Sequence, residues 1–377
     1  MTSPKTPTPK TPLRISSEGK YTLDLMRALA AQMVLLGHIF GILGSSAALR
    51  DIAAVPVVVF FVLSGYLITH SAENLRHRGA GFRAFFISRF SRIFPPYLLC
   101  LCLIALVDVT IVRTGVFGAY EFAPQVTLKE FLGNIFMLQV RPVVGSVGRA
   151  LLWEVNQFGS ARPFWTISFE WWLYMSFGIV FFFRHQLGRP WILLALGICG
   201  AVPALNILSE NEFSSGLTWV WLAGAGLYYL NRRWNPGWMS ARTLLIMAGM
   251  FAMYVLVDYA ANIKKFSMVD VYDLSFMVLL VLPVALMIIY SQWFPGRARR
   301  WVVAPRVVSF LASYSYSLYL IHFTVIVVVS QIMPDASIWI SGACMVVSAN
   351  LVAICVASVT EFRLHNIRDQ MSRRWIS

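Results

Sequence analysis

The chain is poor in charged residues. Only 13% of its 377 residues are Asp, Glu, Lys or Arg, whereas a soluble globular domain carries roughly 25%. It also lacks a polar stretch long enough for a separate soluble domain, and we expect no cleavable signal peptide because the first twenty residues are polar. These shortages exclude an ordinary soluble globular protein.

Cysteine is scarce as well, and the spacing of the few present does not suit a metal. The five cysteines all fall within apolar segments, at Cys100, Cys102, Cys199, Cys344 and Cys355. Cys100 and Cys102 have no Cys or His partner at the spacing of zinc ligands. We therefore expect small buried hydrophobic side chains and no metal site.

Apolar sequence is abundant. Hydrophobic residues make up 58% of the chain, and they gather in segments of about twenty residues, the length of a membrane-spanning helix. The sequence predicts an all-α integral membrane protein with about ten transmembrane helices in one bundle. The predicted spans are 25–44, 54–71, 94–113, 164–183, 191–208, 215–230, 243–260, 274–292, 307–330 and 338–360.

The positions of the basic residues predict the orientation. With a cytoplasmic N-terminus, 23 of the 31 Lys and Arg fall in inner segments, as the positive-inside rule requires. Both termini are then cytoplasmic, with a disordered tail at 1–20, a membrane domain at 21–365 and a basic tail at 366–377. The net charge of +14 is spread over short loops, which indicates contact with lipid and not with nucleic acid.

Two connecting segments have unusual composition. The segment 72–93 interleaves basic residues with phenylalanines, which predicts an amphipathic helix on the inner membrane face that ends before Pro95. The outer loop 114–163 is longer than a plain connection needs. Its apolar part, 131–140, is too short to span the membrane and predicts a re-entrant segment or a lid.

The first span carries two ionisable residues, Arg27 and His38. Eleven residues of α-helix return to within roughly 20° of the starting face, so these side chains lie in one column, about 16 Å apart along the axis. A cation in a spanning segment costs about 2.5–3.5 kcal/mol and is rarely left without a partner or a task. His38 either bonds between helices or reacts, as a base or as an acyl acceptor; the arginine on its face favours reaction.

Arg89 and Arg92 lie on one helix face, three residues apart. Two explanations of this pair are equally good. The arginines are either ordinary cytoplasmic charge that follows the positive-inside rule and contacts lipid headgroups, or a clamp that binds the phosphates of an anionic cytosolic cofactor. Glu170 lies within the fourth span among aromatic residues. It is either a neutral acid bonded across the bundle or a carboxylate that orients a cation or an acceptor hydroxyl. Tyr174 shares its face, and Ser168 is two residues before it.

The ninth span places Ser315, Tyr319 and His322 on one polar stripe. Polar residues of this kind often only join helices, and His322 is the one that we would test for function. In the second span, Ser64 and Gly65 are small enough either to let another helix approach closely or to leave room for a ligand.

Five segments together resemble the membrane-bound acyltransferase family 3, the family of bacterial sugar O-acetylases. They are Arg27 with His38, FFVLSGYLI (60–68), RFSRIFPPY (89–97), FWTISFEWWLY (164–174) and SYSYSLYLIH (313–322). They occur in order and cover most of the chain. The chain departs from many members in lacking a proline after Glu361, and it lacks the extracellular hydrolase-like domain of some members.

The resemblance implies a multi-pass enzyme of the cell inner membrane. It implies transfer of an acyl group, above all acetyl, from cytosolic acyl-CoA to a hydroxyl of a surface glycan or of its lipid-linked or oligosaccharide precursor. Acetyl-CoA is then the donor, no metal is needed, and membrane lipid and a saccharide are further partners. The resemblance implies a catalytic role for His38 with Arg27 beside it, and donor binding by Arg89 and Arg92. From the residues themselves we add Glu170 to the catalytic group and Ser64 and Tyr66 to the donor group. We expect Ser168, Tyr174, Tyr319 and His322 to bind the acceptor.

A different class of protein is the alternative. A secondary transporter or a glycan flippase would have a similar composition and no covalent chemistry. It predicts inverted repeats with broken helices in both halves, and the sequence has no evident pair of this kind.

Overall fold

The structure is a computed structural model that describes residues 14–44, 54–140, 144, 154–208, 216–233, 274–295 and 303–376. Within these ranges the chain is helical and has no strand. The helices are α1 (Ser17–Ile42), α2 (Ala54–His77), α3 (Phe82–Thr114), α4 (Leu128–Ile135), α5 (Phe164–Phe183), α6 (Pro190–Leu208), α7 (Leu217–Arg233), α8 (Leu274–Trp293), α9 (Pro305–Ser313), α10 (Ser315–Ile332), α11 (Ile338–Val359) and α12 (Leu364–Ile376).

Among the described helices, seven are long and apolar enough to cross a membrane. They are α1, α2, α3, α5, α6, α10 and the stretch that contains α11. Nine of the ten predicted spans coincide with helical residues, and the tenth, 243–260, lies outside the described residues. The structure therefore confirms an all-helical membrane protein, whereas the count of ten spans and the cytoplasmic termini stay predictions.

The first helix, α1, has one face buried in the bundle and another exposed at Leu29, Met33 and Leu36. It begins at Ser17, eight residues before the predicted span, because the Ser16 side chain caps it by accepting a hydrogen bond from Gly19 N at 2.9 Å. It packs against α2, α8, α9, α10 and α11. These contacts put Arg27 and His38 within reach of other helices.

Helices α2 and α7 approach each other backbone to backbone. A Cβ added at Gly65 would lie 2.0 Å from the carbonyl oxygen of Trp221, and one added at Gly224 would lie 2.2 Å from that of Val62. Small residues permit this approach, as the sequence predicts for Gly65. The contact also fixes Trp221 beside Ser64.

We predict that Gly224→Ala lowers the stability of the bundle by about 1–3 kcal/mol, the usual effect of overpacking, because the added methyl group meets rigid backbone. Gly226→Ala is the matched control, since a Cβ at Gly226 meets nothing within 4 Å. Thermal unfolding of the two purified variants in detergent measures the difference. An equal midpoint for both variants would contradict the close packing.

The prediction of a surface helix over 72–93 is wrong. Residues up to His77 continue α2, a turn follows at 78–81, and α3 begins at Phe82. The phenylalanines of this segment do not face lipid headgroups, because Phe85 is fully buried and its ring lies 5.7 Å from that of Phe182 in α5. Their packing against α5 makes this segment part of the bundle.

Helix α3 also runs unbroken through Pro95 and Pro96, so the predicted helix end at Pro95 is wrong. A proline removes a backbone hydrogen bond, but membrane helices tolerate it where neighbouring groups compensate. The carbonyls that lose their N–H donor are those of Ser91 and Arg92, four residues before the two prolines, and Tyr316 of α10 donates a hydrogen bond to the next carbonyl, that of Ile93, at 3.2 Å. The continuous helix keeps Arg89 and Arg92 on the same rod as the membrane-spanning residues that follow.

The predicted ninth span, 307–330, is two helices. The chain breaks at Tyr314, which separates α9 from α10. The carbonyl of Ala312 then accepts hydrogen bonds from the side chains of Ser315 at 2.8 Å and Arg27 at 3.4 Å. Side-chain donors thus stabilise a break that the hydrophobic pattern does not reveal.

Candidate functional site

A cavity of about 120 Å³ lies between α1, α2, α3, α5 and α10. Its walls are mainly apolar, but charged and polar side chains converge on it from all five helices. Those with hydroxyl, carboxylate or guanidinium groups include Arg27, Ser64, Arg89, Arg92, Glu170 and Tyr174. Six residues that the sequence analysis selected, from three predicted spans and the segment 72–93, therefore line one space, which we call the central cavity.

Three arginines line this cavity, and two of them have donors to spare. Arg27 lies 3.7 Å from Asp24 and donates to Ser315 Oγ at 3.4 Å. Arg89 donates to two serine hydroxyls, but its Nε is buried without a partner. Arg92 is exposed and forms no ion pair with an acid in the described part of the chain. Free guanidinium donors beside a cavity suit a phosphate or carboxylate ligand.

A directed chain of hydrogen bonds lines the opposite side of the cavity. Trp221 Nε1 donates to Ser64 Oγ at 2.8 Å, and Tyr174 Oη donates to Glu170 Oε2 at 3.0 Å. The remaining hydrogen bond joins Ser64 Oγ and Tyr174 Oη at 2.9 Å, and the distance alone allows either hydroxyl to be the donor. Since the single proton of Tyr174 points to Glu170, the hydroxyl of Ser64 is the donor to Tyr174. The chain orients Glu170 at the cavity.

His38 lies beside His322, away from the residues that line the central cavity. The two ring centroids are 5.2 Å apart, and Phe323 packs edge-on against His38. His322 Nδ1 lies 3.0 Å and 2.9 Å from two backbone carbonyls, which only accept, so Nδ1 carries the proton. Its Nε2 is buried without a partner and is therefore an available base.

Arg27 and His38 both face α10. Their spacing of eleven residues, which puts the two side chains on one face of α1, predicts this. Arg27 bonds to Ser315 at the start of α10, and His38 contacts His322 two turns further on. Tyr319 lies between the two levels. It lines the central cavity, its ring centroid is 6.0 Å from that of His322, and its hydroxyl is 2.8 Å from Thr166 Oγ1.

Two of the predicted site residues lie outside both the central cavity and the histidine pair. Tyr66 is buried, packs against Tyr228 and accepts a hydrogen bond from Asn231 at 3.3 Å. Ser168 is fully buried and donates to the carbonyl of Phe164 at 3.3 Å. The structure thus brings together Arg27, Ser64, Arg89, Arg92, Glu170, Tyr174 and Tyr319 at one cavity, pairs His38 with His322, and leaves these two apart.

Glu361 anchors the N-terminus of α10. Its carboxylate accepts hydrogen bonds from the backbone N of Ser317 at 3.0 Å and from the Ser317 hydroxyl. A carboxylate is stabilising at this end of a helix, where the backbone N–H groups have no partners within the helix. Glu361 therefore holds the helix that presents Ser315, Tyr319 and His322, although no proline follows it.

The sequence analysis missed a buried carboxylate in α3, Asp108. It accepts hydrogen bonds from Tyr120 Oη at 2.6 Å and from Ser160 N at 2.7 Å, and a Cβ on Gly159 would lie 2.0 Å from its Oδ2. Burial, together with this carboxylate, raises the pKa of the Tyr120 hydroxyl, which stays a donor at neutral pH. A carboxylate within an apolar span was the signal in the sequence that could have revealed it.

Asp108 ties the loop before α5 to the bundle beside the histidine pair. Ser160 also contacts Thr324 of α10 at 2.7 Å, and the guanidinium of Arg162 lies 5.5 Å from the ring centroid of Phe323. Phe323 is the ring that packs on His38. The loop therefore covers one side of the histidine pair.

We predict that Asp108→Asn destabilises the protein by about 1.5–3 kcal/mol, the usual contribution of a hydrogen bond to a charged group. The loop before α5 should become sensitive to limited proteolysis. Glu121→Gln is the control, because Glu121 is exposed beside Tyr120. If both variants resist proteolysis and heat equally, Asp108 does not hold the loop.

Comparison with known proteins identifies the family of the chain. The family model of an acyltransferase domain, acyltransferase family 3, matches residues 20–361, so the chain belongs to this family. It is 26% identical over 249 residues to an O-acetyl transferase of Shigella phage Sf6, which covers 64% of this chain and 70% of the phage protein. No solved structure matches. The fold and the family together define a membrane-embedded O-acyltransferase.

Proposed function

We propose that this protein transfers an acetyl group from cytosolic acetyl-CoA to a hydroxyl of a surface glycan or of its lipid-linked or oligosaccharide precursor. The guanidinium and carboxylate groups of the central cavity support this donor and this acceptor, and the phage relative, an O-acetyl transferase, supports transfer of an acetyl group to a hydroxyl. The protein would act in the inner membrane of the cell, where the donor is on one side and the glycan is carried by lipid or lies outside.

The observation that carries this proposal is the composition of the central cavity. Arg89 and Arg92 offer unpaired donors on one wall, and Glu170 faces the same space from another helix. Guanidinium groups bind phosphates, of which coenzyme A has several, while a carboxylate can accept a hydrogen bond from a hydroxyl. Arg27 lies between these groups and the helix that carries His322.

The histidine pair supplies the base. In the proposed reaction, His38 accepts the proton of the acceptor hydroxyl. The hydroxyl oxygen of the acceptor bonds at the same time to the carbonyl carbon of the thioester. The carbon–sulfur bond then breaks, and the coenzyme A thiolate takes up a proton as it leaves. His322 supports His38 through their ring contact. A step in which His38 itself carries the acyl group uses the same geometry.

Tyr319 must move for this reaction to join both sites. It lies between the cavity and the histidine pair, so the acyl group passes this ring or the acceptor enters beside it. Rotation of Tyr319 breaks its hydrogen bond with Thr166 and displaces its ring from that of Phe60, 5.6 Å away.

Release of coenzyme A thiol by the purified protein in lipid nanodiscs, with surface oligosaccharide of the producing cell added as the acceptor of the acetyl group, tests the proposal. We expect thiol release from acetyl-CoA, and its rate should fall when Glu170 is replaced by Gln. Glu121→Gln is the control, because it removes a carboxylate that does not line the central cavity and should leave the rate unchanged. A wild-type rate equal to that of empty nanodiscs would refute the acetyl-CoA donor.

A further inference from the structure

A second pocket, of about 670 Å³, lies where α2, α5 and α7 end. We call it the terminal pocket. Basic side chains surround it and apolar ones form part of its wall. The basic residues are Arg76, His77, Arg184, Arg232 and Arg233, and the aromatic ones include Phe177 and Phe181. None of these residues belongs to the central cavity.

A buried carboxylate organises two of the arginines. Glu73 is 1% exposed and accepts hydrogen bonds from Arg76 at 2.6 Å and from Arg232 at 3.2 Å, with Tyr229 Oη a third donor at 3.1 Å. Arg76 also lies over the ring of Phe181, with 5.2 Å between its Cζ and the ring centroid. These contacts hold the floor of the pocket in one arrangement before any ligand binds.

The other two arginines are not neutralised. Arg184 and Arg233 form no ion pair with an acid in the ranges that the structure covers, and both are exposed at the rim. The C-termini of α2 and α5 meet here, and each contributes about half a negative charge. The four guanidinium groups carry more positive charge than Glu73 and the helix ends carry negative charge. The net charge of the pocket is therefore positive.

The terminal pocket is next to the central cavity. Along α2, Ile68 lines the cavity and Glu73 lines the pocket, which is a rise of about 7.5 Å. Along α5, Tyr174 lines the cavity and Phe177 lines the pocket, which is a rise of about 4.5 Å. The two spaces follow one another along the same pair of helices.

We propose that the terminal pocket binds a phosphate group, with the ligand's apolar or aromatic part against Phe177 and Phe181. Two sources have this chemistry: the headgroup of an anionic phospholipid, and the nucleotide of coenzyme A. The second source rests on the proposed function, and the first does not.

The test compares two pairs of substitutions. Arg184→Gln with Arg233→Gln removes the two rim charges and leaves the arginines that bond to Glu73. Arg83→Gln with Arg189→Gln is the matched control, because both arginines are exposed and neither lines the pocket. The probes are phosphatidylglycerol against phosphatidylcholine, followed by native mass spectrometry, and coenzyme A against 3′-dephospho-coenzyme A, followed by calorimetry.

We expect the rim variant to bind one phosphate probe about 30-fold more weakly than the control variant, from ~1 kcal/mol for each basic residue at a membrane surface. Weaker retention of phosphatidylglycerol alone identifies a lipid site. Weaker binding of coenzyme A, with dephospho-coenzyme A unaffected, identifies the nucleotide. Equal binding of both probes by the two variants overturns the proposal. Failure of the wild type to bind coenzyme A refutes the donor only, and the lipid measurement still decides the site.

Discussion

Replacement of His38 by alanine should lower the turnover of acetyl-CoA by about 100- to 10,000-fold, the usual contribution of a general base. His38 is placed for this role because it faces His322 at 5.2 Å within the bundle. The variant should keep its affinity for coenzyme A, since His38 does not line the central cavity. Steady-state kinetics and calorimetry on the same preparation separate the two effects.

The control for this prediction is His365→Ala. Its side chain is 77% exposed and contacts Asp369 on α12, so its loss should leave turnover unchanged. His322→Ala should also reduce turnover, because it removes the ring that packs on His38. Turnover of His38→Ala at the wild-type rate, with normal abundance in the membrane, would remove the histidine from the mechanism.

Replacement of Arg92 by glutamine should raise the KM for acetyl-CoA by about 10- to 100-fold with little change in kcat. A hydrogen bond to a charged group contributes about 1.5–3 kcal/mol, and a loss of uniform binding appears in KM alone. Arg92 is the sharper target than Arg89 because it is exposed and holds no other residue in place. Arg89→Gln should have the same kinetic effect with some loss of stability.

Two further variants make this prediction specific. Arg92→Lys should recover part of the affinity, since lysine keeps the charge but not the bidentate geometry. Arg83→Gln, an exposed arginine of the same helix outside the cavity, should leave KM unchanged. A lowered kcat with an unchanged KM would show that Arg92 acts on the reacting group and not on the donor phosphates.

The sequence predicted the helices well where their apolar segments were long, because burial in lipid requires such segments. The predictions from sequence failed where hydrogen bonds from side chains of other helices determine where a helix begins or ends. The break at Tyr314 depends on donors from Arg27 and Ser315, and the hydrophobic pattern of one span cannot show a partner on another. The passage of α3 through Pro95 and Pro96 was missed for another reason, because a proline that ends a helix in water is tolerated within a membrane bundle.

The convergence of the site residues was predictable only in part. Charged residues within apolar spans pointed to Arg27 and Glu170, and both line the central cavity. The sequence could not show that Trp221 orients Ser64 and Tyr174, because a tryptophan in an apolar helix has no distinctive spacing. It also could not show that His38 and the cavity lie on two sides of Tyr319, since that depends on how α10 packs against α1.

The most direct test of the account is the acetylation of the surface glycan itself. Cells with the wild-type gene, with His38→Ala at equal membrane abundance, and without the gene are compared by mass spectrometry of their surface polysaccharide. We predict alkali-labile acetyl esters only with the wild-type gene. The same ester content in all three strains would contradict transfer of an acetyl group through this histidine.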